Sequence, residues 1–160
     1  MGHQRPERLN AWLITMSKLA EIITEFDGLD YQDRLELLLD FAEHMPELPE
    51  QYRAERDAGI GKVPECMTPV FMWIDVVDGK VQLIADVAPE APTVKGFVSI
   101  LVESWNGAPS AEVAASQPDI LRQMGLADKL GMTRLRGLNA IVHRIKHEVA
   151  KRNCKLHATT

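Results

Sequence analysis

The dipeptide Asp78-Gly79 constrains this chain more than any other pair of residues in it. Asp-Gly between two strand-like runs favours a two-residue turn with positive φ at both central positions, and that turn joins antiparallel strands. The flanks fit this reading. Residues 68–77, TPVFMWIDVV, are rich in Val, Ile, Phe and Trp, and residues 80–87, KVQLIADV, alternate with period two. Val81, Leu83 and Ala85 fall on one face, and Lys80, Gln82, Ile84 and Asp86 on the other. The spacing predicts an antiparallel hairpin over 68–87, to which one more strand can be added.

Helical patterns flank the hairpin. Leu9, Trp12, Leu13, Met16, Leu19, Ile23 and Phe26 recur at helical spacing until Gly28 breaks the pattern. Asp30 is an N-cap for a helix through Leu35, Leu38, Leu39, Ala42 and Met45, ended by Pro46 and Pro49. Residues 51–58 are charged and fit either a short exposed helix or a loop, and Gly59 and Gly61 make the next segment flexible. After the hairpin come a helix from Thr93 to Trp105, a short one from Ser110 and another between Pro118 and Gly125. A last helix, capped by Thr133, has the core face Leu135, Leu138, Val142, Ile145 and Val149. Helices, a hairpin, then helices again describe an α+β domain, a small antiparallel sheet flanked by helices.

The chain of 160 residues is the size of one domain and long enough to bury a core without metal or disulfide staples. Its two cysteines, Cys66 and Cys154, form no Cys-x-x-Cys pair, which argues against a zinc site or a disulfide framework. The polar N-terminus has no apolar signal core, and no apolar run approaches the ~18 residues of a membrane span. The expected setting is a reducing cytoplasm, where a lone thiol stays free. Charge is uneven. Residues 133–160 hold seven Lys and Arg against Glu148, so they carry +6 of a net −5 and the rest carries −11. That basic helix suggests a docking surface for an anionic partner or for part of the protein itself. Nucleic acid is disfavoured, because the acidic remainder repels phosphate and no aromatic residues interleave with the basic ones.

Cys66 stands two residues after Pro64 and three before Pro69. Each proline fixes its own φ and biases the residue before it toward extended backbone. A stiff frame of this kind presents a thiol at a loop tip, as a nucleophile requires. Spacing alone equally allows a small apolar filler at the start of a strand.

The stretches PECMTPVF, APEAPTVKGF and TRLRGLNAI, with QDRLELLLDFAEHMPELPE in the second helix, resemble the SufE family, particularly its actinobacterial members. The resemblance runs from about Met16 to Val149. It implies a single domain over 16–152, an N-terminal extension over 1–15 and a tail over 153–160, with a fold shared with iron–sulfur scaffold proteins. It also implies a protein that is not itself an enzyme. Such a protein docks on a PLP-dependent cysteine desulfurase, accepts its persulfide sulfur on Cys66, stimulates it and passes sulfur to an iron–sulfur scaffold. It holds no cofactor of its own and acts as a monomer or homodimer.

Other residues carry both a functional and a plain reading. Arg134, three residues before the motif glycine Gly137, either supports the thiolate or partner, or is a solvated first-turn arginine; Arg136 is a weaker candidate of the same kind. Glu65 and Thr68 replace the family's commoner neighbours of the cysteine, and a carboxylate at Glu65 disfavours the thiolate. A shielding pocket is expected near Met67, Val70 or Phe71, with Gly59 and Gly61 as a hinge. Gly96 reads as a close-packing position and Asp86 as an exposed aspartate at the hairpin end. His143 and His147 share a helix face, but Arg144 stands where a zincin-type glutamate would be needed. Cys154 reads as an exposed thiol without a role. The alternatives to a carrier are a thiol-independent allosteric module of a desulfurase and a nucleic-acid-binding domain using the last helix.

Overall fold

The computed structural model describes residues 17–158, with side chains through Cys154. The first half of the expected N-terminal helix and the extension over 1–15 lie outside the described residues.

Helices α1 (Lys18–Glu25), α2 (Tyr31–Glu43) and α3 (Glu50–Asp57) precede strands β1 (Val70–Val77) and β2 (Lys80–Val87). Helices α4 (Pro92–Trp105), α5 (Ser110–Ala115), α6 (Ile120–Gln123) and α7 (Met132–Ala158) follow, with a 3₁₀ turn at Ala127–Lys129. The α+β reading therefore holds. Asp30 caps α2, its side-chain oxygen accepting from the Asp33 N–H at 2.8 Å. Residues 50–57 resolve as a helix, α3.

The hairpin forms as the Asp-Gly turn requires, with Val77 opposite Lys80 and positive φ at Asp78 (53°) and Gly79 (76°). Among the described residues the sheet has two strands, and the further strand is reduced to a fragment. The Val63 N–H donates to the Val70 carbonyl and the Met72 N–H to the Gly61 carbonyl, both at 2.8 Å, making one bridge between Lys62 and Phe71. Pro64 then opens a turn in which the Cys66 N–H donates back to the Val63 carbonyl, and the pairing ends there.

Val70, Met72 and Val76 on β1 and Val81, Leu83, Ala85 and Val87 on β2 form the buried face. It packs on α7 through β1 and on α4 through β2. Helix α4 is buried almost all round, which makes it the centre of the domain. Helix α2 crosses it at Gly96, where an added Cβ would overlap the Leu38 carbonyl oxygen. The close-packing reading of Gly96 thus has a backbone cause.

The outer face of the hairpin is covered by α3. Trp73 donates from Nε1 to Glu55 at 2.7 Å and tilts against the Tyr52 ring at 5.0 Å, while Arg56 pairs with Asp86 at 3.0 Å. Asp86 is therefore an ion-pair partner, not a free hairpin-end aspartate. Helix α7 starts at Met132, so Gly131 rather than Thr133 takes the flanking position. It also continues to Ala158, through most of the stretch expected to be a tail. Cys154 lies on it, exposed.

Candidate functional site

Cys66 is buried, with 8% of its surface exposed, instead of standing at a loop tip. The chain turns tightly between the two buried valines Val63 and Val70, and the Cys66 N–H leans back to the Val63 carbonyl at 3.4 Å. The tip residue that faces solvent is Met67, 87% exposed. The proline frame fixes the loop, but the side chain's direction is set by what lies beneath it.

What lies beneath is Gly137 on α7. A Cβ built there would stand 3.6 Å from the Cys66 sulfur, so only a residue without a side chain leaves the sulfur free space on that side. Helix and loop enclose a cavity of about 390 Å³. Met67, Thr68, Val94, Leu130 and Leu138 supply apolar surface, and residues 131–134 bring in the first turn of α7. The cavity has room for an added atom on the thiol. The unpaired N–H groups at the start of α7 bring partial positive charge to its wall.

Of the residues singled out in the sequence, the structure gathers Cys66, Thr68 and Arg134 around this cavity. Arg134 is exposed at the rim, on the first turn of α7, where its charge opposes the helix dipole. Arg136 is exposed and does not line the cavity. Val70 and Phe71 do not line it either; Met67 does.

Glu65 is outside the cavity. Both of its carboxylate oxygens accept from Arg144 Nη1 at 3.1 Å, across a groove that also contains His143, His147 and Glu148. The anion beside the cysteine therefore has a cation of its own. Among the described residues no three metal-ligating side chains cluster, and the two histidines of this groove have no third ligand. Gly137 is the residue whose role sequence reading missed. It was visible as a motif glycine, but its partner is 71 positions away in the chain.

A hairpin packed on a central helix, with one buried loop thiol seated against the last helix, defines an α+β domain with a single buried cysteine among the described residues. The comparisons with known proteins give that class its family. The SufE family model, described as an Fe-S metabolism associated domain, matches residues 20–149, so the chain belongs to the SufE family and its setting is Fe–S metabolism. An uncharacterized SufE-like protein of Mycobacterium tuberculosis is 37% identical over 132 residues, covering 82% of this chain and 90% of that one. One from Rhizobium etli is 29% identical, covering 86% and 93%. A solution structure of a hypothetical protein from Thermus thermophilus superposes with a TM-score of 0.72 at 34% identity, covering 86% of this chain and 96% of that one. Among the described residues no helix is long and apolar enough to cross a membrane.

Proposed function

We propose that the protein is a sulfur carrier that docks on a cysteine desulfurase, takes the sulfane sulfur of its active-site persulfide on Cys66, and delivers it for iron–sulfur cluster assembly. The observation that carries this reading is the seat of the thiol: a cysteine under a glycine, at the edge of a cavity lined by apolar groups, a helix start and Arg134.

The chemistry needs little more. The Cys66 thiolate attacks the terminal sulfur of the donor's Cys–S–SH. A new S–S bond forms to Cys66, the donor S–S bond breaks, and the donor leaves as a thiolate. The proton stays on the transferred sulfur or is lost to water, and no external oxidant or reductant is consumed. The carried sulfur is anionic when deprotonated, and Arg134 with the first turn of α7 offers it positive charge. Apolar contacts from Met67, Val94, Leu130 and Leu138 limit the directions from which a small thiol can approach it.

The test is intact-mass analysis after incubation with a cysteine desulfurase and free cysteine. An adduct of one sulfur atom should appear on the wild type and be absent from Cys66→Ser. Stimulation of the desulfurase should be lost with it. Full stimulation by Cys66→Ser would instead make the protein a thiol-independent module.

A further inference from the structure

The loop that carries Cys66 is pinned at its stem. Gly61 and Val63 are hydrogen-bonded to β1, and the Ala88 N–H donates to the Pro69 carbonyl at 3.2 Å. Gly61 is thus held rather than free to act as a hinge, and the unit able to move is 64–68. Its reach is short. Cys66 is three residues from Val63, so even a fully extended segment carries it about 10 Å from that anchor. A donor has to bring its sulfur to the loop.

One polar tie opposes that movement. Among the described residues, the only side-chain hydrogen bonds made by 64–68 are those of Glu65 with Arg144. The segment's other ties are apolar or backbone: the burial of Cys66 in the core with its sulfur against Gly137, the long Cys66–Val63 contact, and the Pro69 carbonyl at its end. We infer that the Glu65–Arg144 ion pair is a latch, a pair of positioning residues that holds Cys66 in its cavity and sets how often the thiol is exposed. The two side chains are 47% and 36% exposed, so the latch is weak and sensitive to salt. A weak latch suits a carrier: it keeps the thiol seated in the free protein and yields when a partner surface competes for Glu65 or Arg144. This role rests on Cys66 as the reacting thiol, but it can be measured without any desulfurase.

The experiment is the iodoacetamide labelling rate of Cys66 in a Cys154→Ser protein, so that a single thiol reports. Arg144→Gln releases the loop and should speed labelling about twofold to fivefold, the range set by an exposed ion pair. A purely electrostatic role gives the opposite sign, because removing the cation leaves the Glu65 carboxylate bare near the thiol and slows labelling. Glu65→Gln should also speed labelling. Exchanging the charges, Glu65→Arg with Arg144→Glu, should restore the wild-type rate. High salt should narrow the gap between wild type and the single variants. An Arg144→Gln protein that labels at or below the wild-type rate overturns the latch, and so does a charge-exchanged protein that labels as fast as the single variants. A protein with the expected rates that nevertheless accepts no sulfur would lose the carrier function and keep the latch.

Discussion

Gly137→Ala separates the free thiol from the loaded one. The alanine Cβ would stand 3.6 Å from the Cys66 sulfur, an ordinary van der Waals contact, so the unloaded protein accommodates it. The substitution lies within α7, where replacing glycine stabilises a helix by about 0.5–1 kcal/mol. For a chain of this size that raises Tm by roughly 1–4 °C. The loaded state is different. A second sulfur bonded to Sγ lies about 2.05 Å further out. Pointed toward position 137, it would come within about 1.6 Å of that Cβ, which no packing tolerates. Overpacking costs about 1–3 kcal/mol. The inward orientation of the persulfide is then depleted roughly 5- to 150-fold. The assay loads wild type and variant with a desulfurase and follows loss of the sulfur adduct by mass after addition of dithiothreitol. The variant should unfold at the same or a higher temperature, label with iodoacetamide within about twofold of wild type, and lose its sulfur at least about fivefold faster. Equal persulfide lifetimes in a folded variant would refute the reasoning, because the sulfur would then not occupy the space beside Gly137.

Gly96→Ala should act on stability instead: its Cβ overlaps the Leu38 carbonyl oxygen, and neither backbone can retreat, so thermal denaturation should show a loss of about 1–3 kcal/mol or insoluble protein. Arg134→Ala should leave the far-ultraviolet circular dichroism and Tm unchanged, because the side chain is exposed, yet slow sulfur acceptance by roughly tenfold if it donates to the anionic sulfur. Acceptance at the wild-type rate would reduce Arg134 to a surface charge. Cys154→Ser should take up one sulfur like the wild type, since Cys154 lies exposed on the far part of α7; loss of the adduct with Cys66 intact would move the acceptor site.

Local physics made much of the fold legible in the chain. Asp78 and Gly79 accept positive φ at low cost, so the hairpin and its register follow from two residues and an alternating flank. Asp30 bonds a backbone N–H three residues away, and the apolar period of 135–149 marks one face of one helix. Such features depend on neighbours a few positions apart. Cys66 was legible as a framed thiol, but its direction was not. Its direction depends on Gly137, which supplies empty space, and space leaves no local signature. Glu65 reads as an unfavourable anion until α7 brings Arg144 against it from 79 positions away. The further strand stops at a single bridge because the chain turns at Pro64, where the Cys66 N–H donates back to the Val63 carbonyl. The sequence by itself determined most of the elements and the hairpin turn, because those follow from backbone preferences and short-range periodicity. Only the tertiary structure decided which side chains meet the sulfur, because helix packing sets those distances between residues far apart in the chain.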